Sequence, residues 1–143
     1  MCDFPVDGVE PDLIFYYNVI TGIESIIIDT DDLKKSETQN AVFIDKELKN
    51  KIGDYTFTFS HTKKNNLVFV NFLFFFDKPK GGFTCSNASR PYKVPNRIDS
   101  NSYTIFTITS GYYKYLDAKG FVYIKTDGTS IRTVYVYFTK CIK

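Results

Sequence analysis

The strongest constraint on the fold is an apolar run of ten residues, Leu67–Phe76, in which Asn71 is the single polar side chain. A membrane-spanning helix needs about 20 mainly apolar residues, and this run ends at Asp77. Five phenylalanines and two valines favour a strand over a buried helix. Because successive side chains of a strand point to opposite faces, both faces are apolar. We therefore predict a central strand with one face in the core and the other against a second layer or another subunit.

Alternation of apolar and polar residues with a period of two predicts further strands. In DYTFTFS, three aromatic side chains alternate with Thr and Ser. Strands are predicted at 13–20, 23–28, 54–60 and within 102–115, the last interrupted at Ser110-Gly111. This repeated pattern is typical of a sheet with one apolar face.

The C-terminal segment contains a hairpin signal, because Asp127-Gly128 lies between two alternating runs. A two-residue turn would pair Thr126 with Thr129. By the same register it would pair Ile124 with Ile131 and Val122 with Thr133, and it would place Tyr123 opposite Arg132 on the outer face.

Three segments lack the alternation. Residues 29–40 are predicted to be a solvated connection with at most one helical turn. Residues 45–53 are predicted to be a short helix that Asp45 caps, with Leu48 and Ile52 on one face. Residues 77–98 contain three prolines and five cationic side chains, and they are predicted to be the longest irregular segment.

Composition and pattern together predict the fold class. The 143 residues correspond to one domain, and 43% hydrophobic residues exclude a disordered chain. Fourteen Phe and eleven Tyr, with no Trp, favour β-rich packing. We predict an all-β protein, an antiparallel β-sandwich of jelly-roll type with at most one or two short helices. Residues 1–53 would be an N-terminal extension or additional strands of this single domain.

Residue types that support catalysis are sparse. His61 is the single histidine and lies in a polar segment, while Cys2, Cys85 and Cys141 are too far apart in sequence for a zinc motif. The aspartates of DTDD at 29–32 lack the glycine and distal glutamate of an EF-hand loop. A spatial pair of carboxylates remains open. We predict no catalytic, metal or cofactor-binding residue, no cofactor and no enzymatic activity.

Charge and the N-terminus bear on partners and location. A formal net charge of +2 does not indicate nucleic-acid binding. Basic and aromatic residues interleave at 111–125, but strand alternation also produces that pattern. The acidic N-terminal segment has no basic region before an apolar stretch. We expect a protein made in a host cytoplasm, with no nucleic-acid partner and no membrane insertion.

Three segments of the second half, NNLVFVNFLFFF, SRPYKVP and GFVYIKTDGTSIRTVYVYF, resemble the head modules of bacteriophage tail fibres and related virion fibres. The resemblance covers residues 54–140. It implies an antiparallel sandwich, often trimeric, that holds a virion together or binds a host-surface glycan. The chain has no repetitive fibrous shaft, so a capsid-decorating, fibre-capping or tail-associated component fits its length.

These observations predict a non-enzymatic virion structural protein that acts through protein–protein contacts in a homo-oligomer, with a trimer first and a dimer second. The alternative is a glycan- or receptor-binding head domain of a phage fibre. The residues predicted to contact other virion proteins are Arg90, Tyr92, Lys93 and Arg97, because Arg and aromatic groups are favoured at interfaces. The predicted oligomer interface is Leu67, Phe69, Leu73 and Phe75. The candidate glycan-binding residues are Tyr112, Tyr113 and Tyr115.

Overall fold

Nine antiparallel strands account for most of the structure, a computed structural model that describes residues 10–89 and 102–139. The strands are β1 (Leu13–Asn18), β2 (Ile23–Asp29), β3 (Leu33–Phe43), β4 (Lys51–Thr62), β5 (Leu67–Phe76), β6 (Gly81–Ser89), β7 (Ser102–Tyr113), β8 (Gly120–Thr126) and β9 (Ile131–Phe138). One turn of 3-10 helix at Val19–Thr21 joins β1 to β2. In this part of the chain, no helix is long and apolar enough to cross a membrane.

The sheet closes into a barrel of eight strands. From β3 to β9, each strand pairs with the next in the chain, and β9 then pairs with β1 at six positions. Tyr16 of β1 and Phe43 of β3 form the pair that completes the closure. β2 lies outside the barrel and pairs with β3. The predicted jelly-roll-like sandwich is therefore wrong, since one sheet curls onto itself instead of two sheets packing face to face.

Aromatic rings fill much of the barrel. Phe74 of β5 is completely buried, with its ring centroid 5.0 Å from those of Phe15 and Phe72 and 5.7 Å from that of Phe83. The remaining fully buried side chains with the largest volumes are Phe15, Phe83, Val42, Val122, Val134, Val136 and Cys85. The eleven-to-twelve-residue strands β3, β4 and β7 span this interior.

β5 has the bounds predicted for the apolar run. Val68, Phe72, Phe74 and Phe76 are buried on its inner face, whereas Leu67 and Phe69 are exposed on the outer face. Within the described residues, the outer face of β5 has no second layer over it, because all the strands belong to one sheet. Among residues 10–89 and 102–139, Leu67 and Phe69 on this face therefore remain uncovered.

Two segments predicted to lie outside the sheet differ in the structure. Residues 33–40 belong to β3, where Ser36 and Asn40 point inward and are buried. These polar inward residues obscure the alternation that identifies a strand. Residues 45–50 form a turn and no helix, because the Asp45 carboxylate accepts hydrogen bonds from the Lys49 and Asn50 amides at 3.0 and 2.8 Å. β4 then begins at Lys51.

The predicted irregular segment and the predicted strand break also differ. Residues 81–89 of the segment 77–98 form β6, and residues 90–98 lie outside the described part. β7 is one continuous strand, with a bulge where the partners of Thr84 and Cys85 are Ser110 and Ile108. The extra residue bends the strand without ending it.

The β8–β9 hairpin forms as predicted in place but with a different register. Thr126 pairs with Arg132, Ile124 with Val134 and Val122 with Val136. The Asp127 carboxylate accepts hydrogen bonds from the Thr129 amide and hydroxyl at 3.1 and 2.6 Å, which stabilises a longer turn. The observed partner of Thr126, Arg132, lies three residues after the predicted partner, Thr129. Because three is an odd number, the side chains of β9 that were predicted to face outward face the core. The predicted contact of Tyr123 with Arg132 on the outer face is therefore wrong.

Candidate functional site

The corrected register places a broad apolar surface on the outside of the barrel. We call it the tyrosine face, and it consists of Ile14, Tyr16, Tyr103, Ile105, Phe121, Tyr123, Tyr135 and Tyr137 from β1, β7, β8 and β9. In its central row, Ile105 lies opposite Tyr123, which lies opposite Tyr135, which lies opposite Ile14. Four adjacent strands thus carry an uninterrupted apolar row.

The tyrosines of this face contact one another. The Tyr123 ring centroid is 5.5 Å from that of Tyr137 and 6.5 Å from that of Tyr103, in edge-to-face arrangements. The Lys125 ammonium lies 5.9 Å from the Tyr103 ring centroid. Partial burial raises the pKa of Tyr135 and of Tyr137 above the usual tyrosine value, and neighbouring phenols add to the effect. The phenols of Tyr135 and Tyr137 therefore stay neutral at physiological pH.

The predicted oligomer interface lies on a narrower outer stripe. Leu67 and Phe69 are exposed, whereas Leu73 and Phe75 are half-buried. The register partners of this stripe are Asp54, Thr56, Thr58, Ser60 and Thr62 on β4, and Gly82, Thr84, Ser86 and Ala88 on β6. The stripe is therefore one strand wide with hydroxyl groups on both sides, whereas the tyrosine face is four strands wide.

The three tyrosines predicted to bind a glycan differ in their surroundings. Tyr112 and Tyr113 are exposed, but Tyr115 packs against Phe76 and Phe138 at one end of the barrel, with ring centroids 5.8 and 5.7 Å away. Tyr113 instead contacts Phe75 of the predicted oligomer interface at 6.2 Å. The predicted contact residues Arg90, Tyr92, Lys93 and Arg97 lie outside the described residues.

A second candidate site lies inside the barrel, where β1 and β9 bring Tyr17 opposite Arg132. Both side chains are buried, at 5% and 6% exposure. Arg132 Nη1 donates a hydrogen bond to the Thr129 carbonyl oxygen at 2.8 Å. The Tyr17 ring packs edge-on against Tyr55, with centroids 4.8 Å apart. The interior at this end is therefore polar as well as aromatic.

Asn40 holds this end of the barrel together. Its Nδ2 donates hydrogen bonds to the Asn18 carbonyl oxygen at 2.8 Å and to the Tyr55 hydroxyl at 3.2 Å. Its Oδ1 accepts from the Thr21 hydroxyl at 2.8 Å and from the Ala41 amide at 2.9 Å. Because its donors and acceptor are occupied, Asn40 has a structural role in linking β3 to β1 and β4.

Burial controls the titration of the interior groups. Desolvation is the main cause that raises the pKa of Tyr17, with a further contribution from Tyr55, while Arg132 opposes the rise. Burial likewise raises the pKa of the Cys85 thiol. Both groups are therefore neutral at physiological pH, and Cys85 is not an activated nucleophile.

We expect the folded state to lose stability above about pH 10, where the Tyr17 phenol ionises in the unfolded chain but not in the barrel. Below that pH both states hold the proton and the stability is unaffected. Above that pH, the free energy of unfolding should fall by about 1.4 kcal/mol per pH unit, because the unfolded chain releases the Tyr17 proton and the folded chain retains it. Urea titrations of wild type and Tyr17→Phe from pH 8 to 12 would test this, because the variant should show a shallower decline. Equal slopes would contradict the assignment.

Two observations on the described residues bear on acid–base and metal chemistry. His61 Nε2 lies 3.1 Å from Asn66 Oδ1 in the β4–β5 region. No group of three or more His, Cys, Asp or Glu side chains in residues 10–89 and 102–139 is placed to hold a metal ion.

The tyrosine face and the interior Arg132 were both missed in the sequence analysis for the same reason. With the two-residue turn, Tyr135 and Arg132 exchange faces relative to their observed positions. The signal that could have found them is the run VYVYF, because two valines and two tyrosines alternate strictly there. The valines are the better core residues, which fixes the inward set and places Arg132 with them.

Comparison with solved structures identifies the fold alone. The chain is similar to pyocyanin demethylase, with a TM-score of 0.61 and 12% sequence identity, over 88% of this chain and 99% of that chain. No protein-family model matches the chain, and no curated protein sequence matches it either. The neighbour carries the name of an enzyme, but at this identity the similarity establishes a shared barrel architecture and no shared chemistry.

Proposed function

We propose that the protein is a non-catalytic structural component that assembles with copies of itself through the tyrosine face. The observation that carries the proposal is the row Ile105, Tyr123, Tyr135 and Ile14, which crosses four adjacent strands on the outside of the barrel. Tyrosine is enriched in protein interfaces because it combines a large apolar ring with a hydroxyl that can remain hydrated.

Several apolar side chains of the tyrosine face are uncovered in a single copy of the chain. Tyr103 is 53% exposed, Ile105 is 48% exposed and Ile14 is 37% exposed. Burial of such surface contributes roughly 25 cal/mol per Å². Large contiguous apolar patches are uncommon on monomers and mark interaction sites. A closed oligomer would cover the face, and a trimer remains our first choice and a dimer the second.

We extend the proposal to a role in a virion, as a decorating, fibre or tail-associated protein. The resemblance to fibre heads implied a sandwich, which the barrel overturns, so the support for this role is the capacity for extensive protein contact. Labelling of purified particles, or cryo-electron microscopy of them, tests the location directly. Absence of the protein from particles, with a discrete activity of the free protein, would end the virion proposal.

A pair of substitutions compares the two outer surfaces. Ile105 on β7 and Phe69 on β5 are similarly exposed, at 48% and 46%, and both are replaced with lysine. We expect wild type to be an oligomer and Ile105→Lys to be a monomer, because a charge in the central row would have to be buried without a partner. Phe69→Lys should leave the oligomer intact. Size-exclusion chromatography with light scattering measures all three.

The oligomeric states of the two variants distinguish the tyrosine face from the stripe on β5. Dissociation by Phe69→Lys alone would assign the interface to the predicted stripe of Leu67, Phe69, Leu73 and Phe75. A wild-type chain that is monomeric at all concentrations would overturn self-assembly. Circular dichroism at equal concentration checks that both lysine variants retain the β spectrum.

A further inference from the structure

Arg132 is an unusual residue for the inside of a barrel. It is 6% exposed and follows the inward pattern of Val134 and Val136. The ion pairs formed within residues 10–89 and 102–139 join Lys46 to Asp127, Lys51 to Asp54 and Lys63 to Asp29, and none involves Arg132. Buried charges in proteins are ordinarily paired with an opposite charge, because an unpaired one is costly.

The guanidinium also has unused hydrogen-bonding capacity. It carries five N–H donors, and its hydrogen bond to the described residues runs from Nη1 to the Thr129 carbonyl oxygen. In this part of the chain, no fully buried side-chain nitrogen or oxygen lacks a partner. The other guanidinium nitrogens must therefore border space that water can enter.

The neighbours of Arg132 are suited to an apolar ring. Tyr17 lies directly opposite on β1, and the charge of Arg132 acts on the Tyr17 phenol, because it lowers the pKa of that phenol against the rise caused by burial. Tyr17, Tyr55 and Phe72 pack together, with Tyr55 and Phe72 centroids 5.3 Å apart, and Phe106 lies 5.3 Å from Phe72. Ligand sites are typically apolar surfaces with a few convergent polar groups, which describes this end of the barrel.

We propose that the barrel interior beside Arg132 and Tyr17 is a binding site for a small organic anion with a planar apolar body. The guanidinium of Arg132 binds the anionic group as a planar, bidentate donor. The Tyr17 hydroxyl donates to an oxygen of the same ligand, and the aromatic side chains contact its ring. The ligand supplies the negative charge that Arg132 lacks inside the barrel.

The size and charge of the ligand follow from the same surroundings. An eight-stranded barrel leaves room for side chains or for one small ligand. A fully hydrated inorganic anion would lose its water against Phe72 and Tyr55 without gaining apolar contact. A bound organic anion gains both the charged hydrogen bonds and the apolar burial.

Isothermal titration calorimetry of the full chain with 2-naphthoate, and with the neutral 2-naphthamide, tests the site. We expect saturable binding of 2-naphthoate at one site per chain, and at least about tenfold weaker binding of 2-naphthamide. Arg132→Met keeps most of the apolar side-chain volume and should weaken 2-naphthoate about 10–100-fold, since charged hydrogen bonds contribute about 1.5–3 kcal/mol. Tyr17→Phe should weaken it several-fold, as expected for the loss of a neutral donor.

Lys125→Met is the matched control, because Lys125 is a cation on the outer surface beside Tyr103. It should leave 2-naphthoate binding unchanged. Absence of saturable binding to wild type, equal affinity for the two probes, or a loss caused by Lys125→Met but not by Arg132→Met would overturn the proposal. If Arg132→Met does not fold, the comparison of probes on wild type and the Tyr17→Phe variant decides. The tyrosine face is not involved, so failure here leaves the proposed assembly untouched.

Discussion

Replacing Phe74 with alanine is expected to lower the free energy of unfolding by about 3–5 kcal/mol. The Phe74 side chain is completely buried, and its ring contacts Phe15, Phe72 and Phe83 on three other positions of the barrel wall. Alanine would leave a cavity that these rings cannot fill, because the backbones of β1, β5 and β6 fix their positions. Urea denaturation followed by circular dichroism measures the change, with the midpoint moving while the slope stays constant.

Phe75→Ala is the control for this prediction, since the same chemical change is made one residue along the same strand. Phe75 points outward, is half-buried and makes an edge contact with Tyr113 at 6.2 Å. We expect the free energy of unfolding to fall by roughly 1 kcal/mol, because a half-buried ring loses less apolar burial and leaves no enclosed cavity. Comparable losses for the two variants would show that β5 does not have an inner and an outer face as described.

Gly53→Ala is expected to lower the free energy of unfolding by at least about 2 kcal/mol. A Cβ atom at this position would lie 2.0 Å from the Phe75 carbonyl oxygen and 2.9 Å from the Phe76 Cα atom. Both atoms belong to the backbone of β5, so the clash can be relieved only by separating β4 from β5. Thermal and urea unfolding would both report the loss.

Gly22→Ala provides the comparison, because its nearest neighbour is the Thr38 side-chain methyl at 2.8 Å and no strand backbone. A small movement of that methyl relieves the contact, and alanine also restricts the unfolded chain. We expect a change below about 1 kcal/mol. A Gly53→Ala variant as stable as Gly22→Ala would mean that β4 and β5 are not as close as the structure has them.

Most strands followed from the sequence, but β3, β6 and the arrangement of the strands did not. Alternation identified β4, β5, β8 and β9, because each has an apolar inner set and the side-chain period of a strand is two. A sandwich and a barrel both require this alternation. The pairing of β1 with β9, which distinguishes them here, is a long-range contact that leaves no local pattern in the sequence.

The wrong predictions for β3 and for the register of β9 each have a physical cause. β3 was predicted as a connection because Ser36 and Asn40 occupy inward positions, and Asn40 compensates for its burial with four hydrogen bonds. The β9 register was wrong because Asp127 forms its turn with Thr129 and not as a two-residue Asp-Gly turn. That single difference moved Arg132 inside and Tyr135 outside, so both candidate sites depended on one turn.

The pairing of β1 with β9 also has a consequence for how the protein is made. As the nascent chain leaves the ribosome, β1 is the first described strand to emerge and β9 is the last. Until β9 arrives, β1 lacks its main partner, and Phe15 and Tyr17 have no closed interior to enter. Closure of the barrel must therefore follow translation of residues 131–138, and until then the aromatic interior is a surface for chaperones or for premature aggregation.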